Sequence, residues 1–337
     1  MQLRPCVILL SIFILASFSC QNSPQHSSPA ALFSEPPDKK ARMFAPGIIS
    51  TDLYERDFTM TPDKKEMYWR VVVGDHSYSA IMMTKYDDEK WSKPEVAPFS
   101  KNPEYKDMEP FITYHGEKFY FVSNRPSKNR EENWDIWVMD RQKEGWGEPY
   151  NLGAPVNSDA REFFPSLTKD GTLYFTREGQ NVENGIFRCR FSNGQYQKAE
   201  RLPEQVNAGK ARYNALIDPD ENFIIVPIYG MEDTRGGTDY YICFRNHKDQ
   251  WSQPINMGDE INSYSGAEWS ASLSQDGQFI FFMTAREEKG YDFKNQSLTY
   301  QKFQKLHRSP NNGNPNIYWI NSSIIDSLEK IAEFEYL

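Results

Sequence analysis

One phrase recurs five times along this chain, and a recurrence of that kind constrains the fold more tightly than any single motif. It reads "RDFTMTPDKKEMYW" from Arg56, "MEPFITYHGEKFYF" from Met108, "EFFPSLTKDGTLYF" from Glu162, "YNALIDPDENFIIV" from Tyr213 and "EWSASLSQDGQFIFF" from Glu268. Each copy is an apolar run, a polar turn centred on Asp63, His115, Asp170, Asp220 or Asp276, and a second apolar run. The Asp and Gly of the "DG" turns allow a left-handed backbone at a hairpin tip, which is reason enough for their presence. A third strand follows every copy: "YSAIMMTKY", "DIWVMDR", "GIFRCRF", "DYYICFR" and "NIYWINS". Four copies then carry an aromatic and a fourth strand: "WSKPEVAP", "WGEPYNLG", "YQKAERLP" and "WSQPINMG".

Five units with only four fourth strands leave one strand to find. "ARMFAPGIISTDLYERDF" aligns with "PYNLGAPVNSDAREFF", so the segment Arg42–Ile48 is an orphan fourth strand at the wrong end of the chain. It is expected to complete the last sheet and close a ring, which removes the exposed edges of an open array. The fold class is therefore all-β: a five-bladed β-propeller with four-stranded blades, closed by an N-terminal strand completing the last blade. The strands carry apolar residues on both faces, as strands sandwiched between neighbouring blades must. "SSIIDSLEKIAEF" reads as a short C-terminal helix with a Ser cap.

Strand–"DG"–strand followed by "DIW" or "DYY" resembles the WD40-like PD40 repeat of TolB-like propellers, over residues 41 to 322. The resemblance implies a propeller in a bacterial cell envelope and a binding role more than a catalytic one. It does not carry TolB's own partners over, because this chain has five units and no additional N-terminal domain.

The first residues read as targeting. Arg4 precedes the apolar run "CVILLSIFILASF", which is short for a membrane span and fits a secretory signal over residues 1–19. Cys20 stands where a bacterial lipoprotein carries its lipid; an ordinary cleaved signal with an incidental cysteine is the alternative. Residues 20–38, rich in Ser, Pro and Gln, read as a flexible tether, and residues 39–337 as the propeller. A lipidated Cys20 would hold the propeller beside a membrane, with the outer membrane expected and the domain facing periplasm or exterior. Cys189 and Cys243 occupy matching positions of successive repeats, too far apart for a disulfide, and read as buried thiols.

The formal charge of −9, with no basic run, argues against nucleic acid as a partner. Histidines 26, 76, 115, 247 and 307 lie far apart, so no zinc site and no other metal is expected, and no motif points to a cofactor. Chemistry is expected where the inner strands begin. One residue per unit there gives Glu55, Asp107, Glu162, Arg212 and Glu268; two positions on come Asp57, Glu109, Phe164, Asn214 and Ser270, with Arg56, Tyr213 and Trp269 beside them. The loops between the second and third strands bring Arg70, Arg125, Arg177, Arg235 and Arg286 toward the same rim.

Three readings of that rim follow. In the first, it binds a glycan, a peptide or an envelope protein, with Asp57, Glu109, Arg212, Tyr213, Trp269, Arg125, Arg177, Arg235 and Arg286 as contacts. In the second, Glu55, Asp107, Glu162 and Glu268 are candidate catalytic carboxylates of a glycosidase or lyase, as in five-bladed glycosidases that place a base, an acid and a pKa-tuning carboxylate on inner strands. In the third, the protein is a structural envelope scaffold that binds another protein by its sides; the carboxylates also have a plain structural explanation, as partners of those arginines or caps of the turns between blades. The insertion 287–315, basic and aromatic in an acidic chain, is a candidate lid or docking loop.

Overall fold

The computed structural model describes residues 32–33, 35–74, 76–127, 133–264, 268–287 and 297–334. The signal segment, Cys20 and most of the tether lie outside the described residues, as does the first part of the 287–315 insertion.

Five antiparallel sheets, each lettered a to d from the axis outward, follow the five repeats. Blade 1 runs through a (Tyr54–Met60), b (Glu66–Val73), c (Tyr78–Asp87) and d (Glu95–Val96). Blade 2 has a (Asp107–Ile112), b (Lys118–Ser123), c (Asp135–Gln142) and d (Tyr150–Asn151). Blade 3 has a (Arg161–Leu167), b (Leu173–Glu178), c (Gly185–Cys189) and d (Glu200–Arg201). In blade 4 strand a is split into Ala211–Arg212 and Leu216–Ile217, followed by b (Phe223–Tyr229), c (Thr238–Phe244) and d (Ile255–Asn256). Blade 5 contributes a (Ala271–Leu273), b (Phe279–Glu287) and c (Asn312–Asn321).

Its missing d strand is Arg42–Met43, pairing Arg42 with Trp319 and Met43 with Tyr318. The ring is thus closed by the segment that the repeat alignment left over. The neighbouring Phe44 is 1 % exposed and meets Phe58, Phe281 and Trp319 at centroid separations of 5.2, 4.9 and 5.3 Å. One side chain thereby joins the first blade to the last.

The core is distributed between the blades, because each sheet buries both faces against its neighbours. Trp69 and Phe281 meet between blades 5 and 1, Tyr68 and Phe119 between 1 and 2, and Val122 and Phe175 between 2 and 3. Ile186 and Ile224 meet between blades 3 and 4, and Ile242 and Phe282 between 4 and 5. Cys189 and Cys243 are buried free thiols in separate clusters.

An amide clip recurs where each d strand turns toward the next blade. Asn157, Asn207 and Asn262 accept from the backbone N–H of Ile136, Ile186 and Tyr240 at 2.9, 2.7 and 2.7 Å, and donate back to the same residues' carbonyls. They thereby satisfy the N–H groups near the start of strand c and share its carbonyls with the backbone N–H of Leu152, Leu202 and Met257. In blades 2 and 4 the clip extends to an aspartate at the start of strand c, its first residue in blade 2 and its second in blade 4. Asn151 donates to Asp135 at 2.7 Å and Asn256 to Asp239 at 2.9 Å. The "D" of "DIW" and "DYY" is therefore a structural acceptor.

The a–b turns likewise explain themselves. Ser274 donates to Asp276 at 2.6 Å, Thr61 to Asp63 at 2.6 Å, and Thr168 to Asp170. Two α-helices accompany the blades in the described C-terminal half of the chain. The first, α1 (Tyr300–His307), lies within the 287–315 insertion and is capped by Thr299. The second, α2 (Ile324–Glu329), is the expected short C-terminal helix and packs Ile325 into the core shared by blades 4 and 5, but Ser323 at its N-cap makes no side-chain capping bond.

Candidate functional site at the propeller axis

The two rings of polar residues marked at the inner strands do not share one environment. A left-handed residue interrupts strand a of four blades: Asp57, Glu109, Phe164 and Asn214 have φ of 56°, 55°, 50° and 53°. In blades 1 to 3 the pairing between strands a and b slips at that point. The bulge turns Asp57, Glu109 and Phe164 toward the axis, whereas Glu55, Asp107 and Glu162, two positions earlier, stay within their blade.

Before the bulge, Glu55, Asp107, Glu162 and Glu268 are at most 1 % exposed. Asp107 accepts from Arg125 Nη2 on both oxygens at 2.8 Å. Glu162 accepts from Arg177 Nε at 2.7 Å and Ser158 Oγ at 2.5 Å. Glu268 accepts from Ser263 Oγ at 2.6 Å and Thr284 Oγ1 at 2.8 Å, and Glu55 from Thr51. The pattern within the repeat supports a shared role in anchoring the d–a turn. Blade 4 has Arg212 at the carboxylate's place and Ala208 at the hydroxyl's, and Arg212 instead donates to Asn207 Oδ1 at 3.3 Å and to the Asn184 carbonyl at 3.1 Å. The hydroxyl four or five residues upstream of each glutamate is the sequence signal that identifies its partner.

The arginines divide too. Arg125, Arg177 and Arg286 lie over the strand-c aromatics Trp137, Phe187 and Tyr318 at 5.5, 5.0 and 4.8 Å, and donate to the carbonyls of Phe99, Val156 and Glu260 in the d–a turns. Arg235 stands apart from them. It ion-pairs with Asp259 at 2.6 Å, and its backbone N–H is held by Asp239 at 2.8 Å. Arg70 differs again, because Glu55 lies opposite Val71 in the a–b ladder and Arg70 opposite Arg56. That places Arg70 toward the axis.

At the axis, blades 1 and 2 assemble a buried quartet of charges. Arg56 Nε donates to Asp57 at 2.8 and 2.9 Å, Arg70 Nη1 lies 3.6 Å from Asp57, and Arg56 Nη2 lies 3.9 Å from Glu109. All four residues are at most 5 % exposed. Burial raises the Glu109 carboxyl above the usual range, helped by the nearby Asp57 charge. It lowers Arg70 to about 10, with Arg56 adding to the effect. Burial alone would also lower Arg56, but Asp57 and Glu109 outweigh it and hold this guanidinium firmly charged.

The bulged N–H groups are answered by the preceding blade, which stitches the ring together from inside. Asp57 N–H donates to Ser270 Oγ at 3.3 Å, Phe164 N–H to Glu109 Oε2 at 2.7 Å, and Asn214 N–H to Thr176 Oγ1 at 2.8 Å. Toward the a–b turns the channel narrows to a cavity of about 20 Å³ lined by Phe164, Ser272 and Gln275. Gln275 crosses that end, donating to the carbonyls of Met60 and Ile112 at 3.3 and 3.4 Å. At the opposite end Tyr54, Tyr213 and Trp269 remain half-buried around the quartet, with the Arg56 guanidinium 5.4 Å from the Trp269 ring. Among the described residues no group of three or more His, Cys, Asp and Glu is arranged to hold a metal ion.

The buried glutamates carry a pH signature. Burial raises Glu55 and Glu268 from the ordinary value of 4.5 to about 7, against the opposing hydroxyl hydrogen bonds. A carboxyl whose folded pKa lies above its unfolded one favours the folded state while protonated and opposes it once ionised. The protein should therefore lose stability as pH rises from about 4.5 to 7, by on the order of 2 kcal/mol for each of these groups. Urea titrations across that range should show a shallower decline for Glu268→Gln. A wild-type midpoint that climbs through the same window would contradict this assignment.

No family model and no curated protein matches the chain. Among solved structures it is similar to an arabinanase from Bacillus subtilis, at 13 % identity and a TM-score of 0.45 over 80 % of this chain and 94 % of that one. An α-L-arabinanase from Penicillium chrysogenum aligns at 12 % identity and a TM-score of 0.44 over 79 % and 76 % of the two chains. Prolyl oligopeptidase B from Galerina marginata aligns at 14 % identity and a TM-score of 0.40 over 67 % and 30 %. The chain spans about a third of the length of the peptidases it matches.

Proposed function

We propose that this chain is a recognition propeller, held beside a membrane of the bacterial envelope through Cys20, that binds a glycan, peptide or protein at the axial mouth where its inner strands begin. The observation that supports binding over catalysis is the state of the carboxylates. Asp57 and Glu109 are charge-compensated by Arg56 and Arg70, and the four carboxylates before the bulge are enclosed by their own blades. A general acid or base has to come within hydrogen-bond reach of its substrate, and none of these groups presents a free oxygen at the surface. Tyr54, Trp269 and Tyr213 do present partly exposed rings, and flat aromatic faces beside a fixed cation suit sugar rings and peptide side chains alike. Arg212, half-buried on the same rim, is a further contact.

A carbohydrate-active enzyme is the second reading. It rests on Glu55 and Glu268, whose carboxyls sit near pH 7 in the range a general acid requires. Saturation-transfer NMR with a panel of envelope and plant oligosaccharides, followed over time, separates the two readings. Binding without new anomeric or unsaturated signals, lost in Trp269→Ala, is the expected result. New signals that disappear in Glu268→Gln would replace the binding reading with the enzymatic one.

A further inference from the structure

Four of the five clefts between blades are wedged at their outer edges by the aromatic that follows strand c, and one wedge differs from the others. Trp146 enters between blades 1 and 2 and donates from Nε1 to Tyr68 at 2.9 Å. Trp251, 4 % exposed, packs in one cluster with Tyr174 between blades 3 and 4. Trp91 packs between blades 5 and 1. Between blades 2 and 3 the equivalent residue is Tyr196, whose hydroxyl meets that of Tyr120 at 3.1 Å. Tyr68, Tyr120 and Tyr174 are repeat-equivalent residues of strand b, so the geometry is preserved while an indole is replaced by a smaller ring.

The cleft beside Tyr196 is correspondingly large. The Trp146 cleft holds a cavity of about 420 Å³. The Tyr196 cleft holds one of about 670 Å³, which shares Tyr150, Ala154 and Pro155 with a second of about 940 Å³. The two lobes form one groove, and no residue of the axial quartet lines it. Tyr150 and Phe191, 42 % and 40 % exposed, stand in it. Phe191 belongs to a short hairpin, Phe191–Ser192 with Gln195–Tyr196, that is detached from the sheet of blade 3.

From this groove we infer a second binding site, for an extended proline-rich polypeptide segment. The groove is elongated and aromatic, which suits a chain with no internal hydrogen bonds and a preformed shape. Three of its tyrosine hydroxyls are already engaged: Tyr120 with Tyr196, and Tyr150 with Lys118 Nζ at 3.4 Å. Sugar recognition requires several free polar groups converging on the ligand, whereas proline rings need only aromatic faces. Each lobe also carries one exposed charge with no partner among the described residues, Glu117 in the smaller and Lys198 in the larger. The occupant is therefore an extended segment with a basic residue toward Glu117 and an acidic one toward Lys198.

The repeat supplies the test, because Tyr196→Trp restores the wedge used elsewhere and fills the groove. The probes are two fluorescein-labelled octaprolines, one flanked by an N-terminal Lys and a C-terminal Asp, the other reversed, followed by fluorescence anisotropy on the full chain. Saturable binding of one orientation, weakened at least tenfold by Tyr196→Trp and by Tyr150→Ala with the melting temperature unchanged, is expected. Trp269→Ala should leave this binding intact, which separates the groove from the axial mouth. Equal binding to wild type and Tyr196→Trp would overturn the proposal. So would failure of both peptides to saturate, or capture by the groove of an oligosaccharide in their place.

Discussion

Replacing Asp57 by Ala is expected to lower the unfolding free energy by about 3–5 kcal/mol, the range for breaking a buried ion pair from one side. Asp57 is the group that both Arg56 and Arg70 approach, and without it two guanidiniums remain buried with only Glu109 to balance them. The bulge adds to the cost, because Ala tolerates φ of 56° less well than Asp. Denaturant unfolding measures the loss directly. Combining Asp57→Ala with Arg70→Met should recover part of it, since the second change removes one stranded charge and keeps much of its volume. A double variant less stable than the single by the full cost of an independent Arg70→Met change would show that the quartet is not an electrostatic unit.

The second large effect concerns ring closure. Phe44→Ala should cost about 3–5 kcal/mol, as truncation of a fully buried Phe does. The lost ring lies between Phe58 of the first blade and Phe281 and Trp319 of the last, so the cavity falls where the circle is joined. Hydrogen exchange should then rise in strand a of blade 1 and strand c of blade 5 before it rises in blade 3. A uniform increase around the ring would mean that closure is not the weak point.

How much of this was legible in the sequence depends on whether a feature repeats. Blade number, strand order and the role of Arg42–Met43 follow from phrases aligned five times, and one leftover segment can have only one vacancy to fill. The helix α1 was not legible, since the insertion that contains it occurs once and its apolar residues have no counterpart in the repeat. The separation of Glu55, Asp107, Glu162 and Glu268 from Asp57 and Glu109 escaped for a different reason. A left-handed residue is normally announced by glycine, and here Asp, Glu, Phe and Asn occupy it. Without that signal the inner strand reads as regular, and two residues two apart read as one wall of the channel. Arg70 was grouped with Arg125 and Arg177 by its place near the end of strand b. A shift of a single position in the ladder sends it to the other face. The Asn157, Asn207 and Asn262 clips were present in the aligned text as "VNS", "VNA" and "INS", and only their hydrogen bonds reveal their purpose.

The pairing of Arg42 with Trp319 also orders events in time. A ribosome delivers this strand before any blade exists, and its partner only after blades 1 to 4 have emerged. Through most of synthesis the strand has nothing to pair with, and contacts between such distant parts of a chain are slow to form. Blades 1 to 4 can assemble on one another as they appear, whereas the circle is sealed last, by a strand made before any of them. Until that moment the nascent propeller is an open arc with a bare strand at each end, the form of the protein most exposed to pairing with a neighbour.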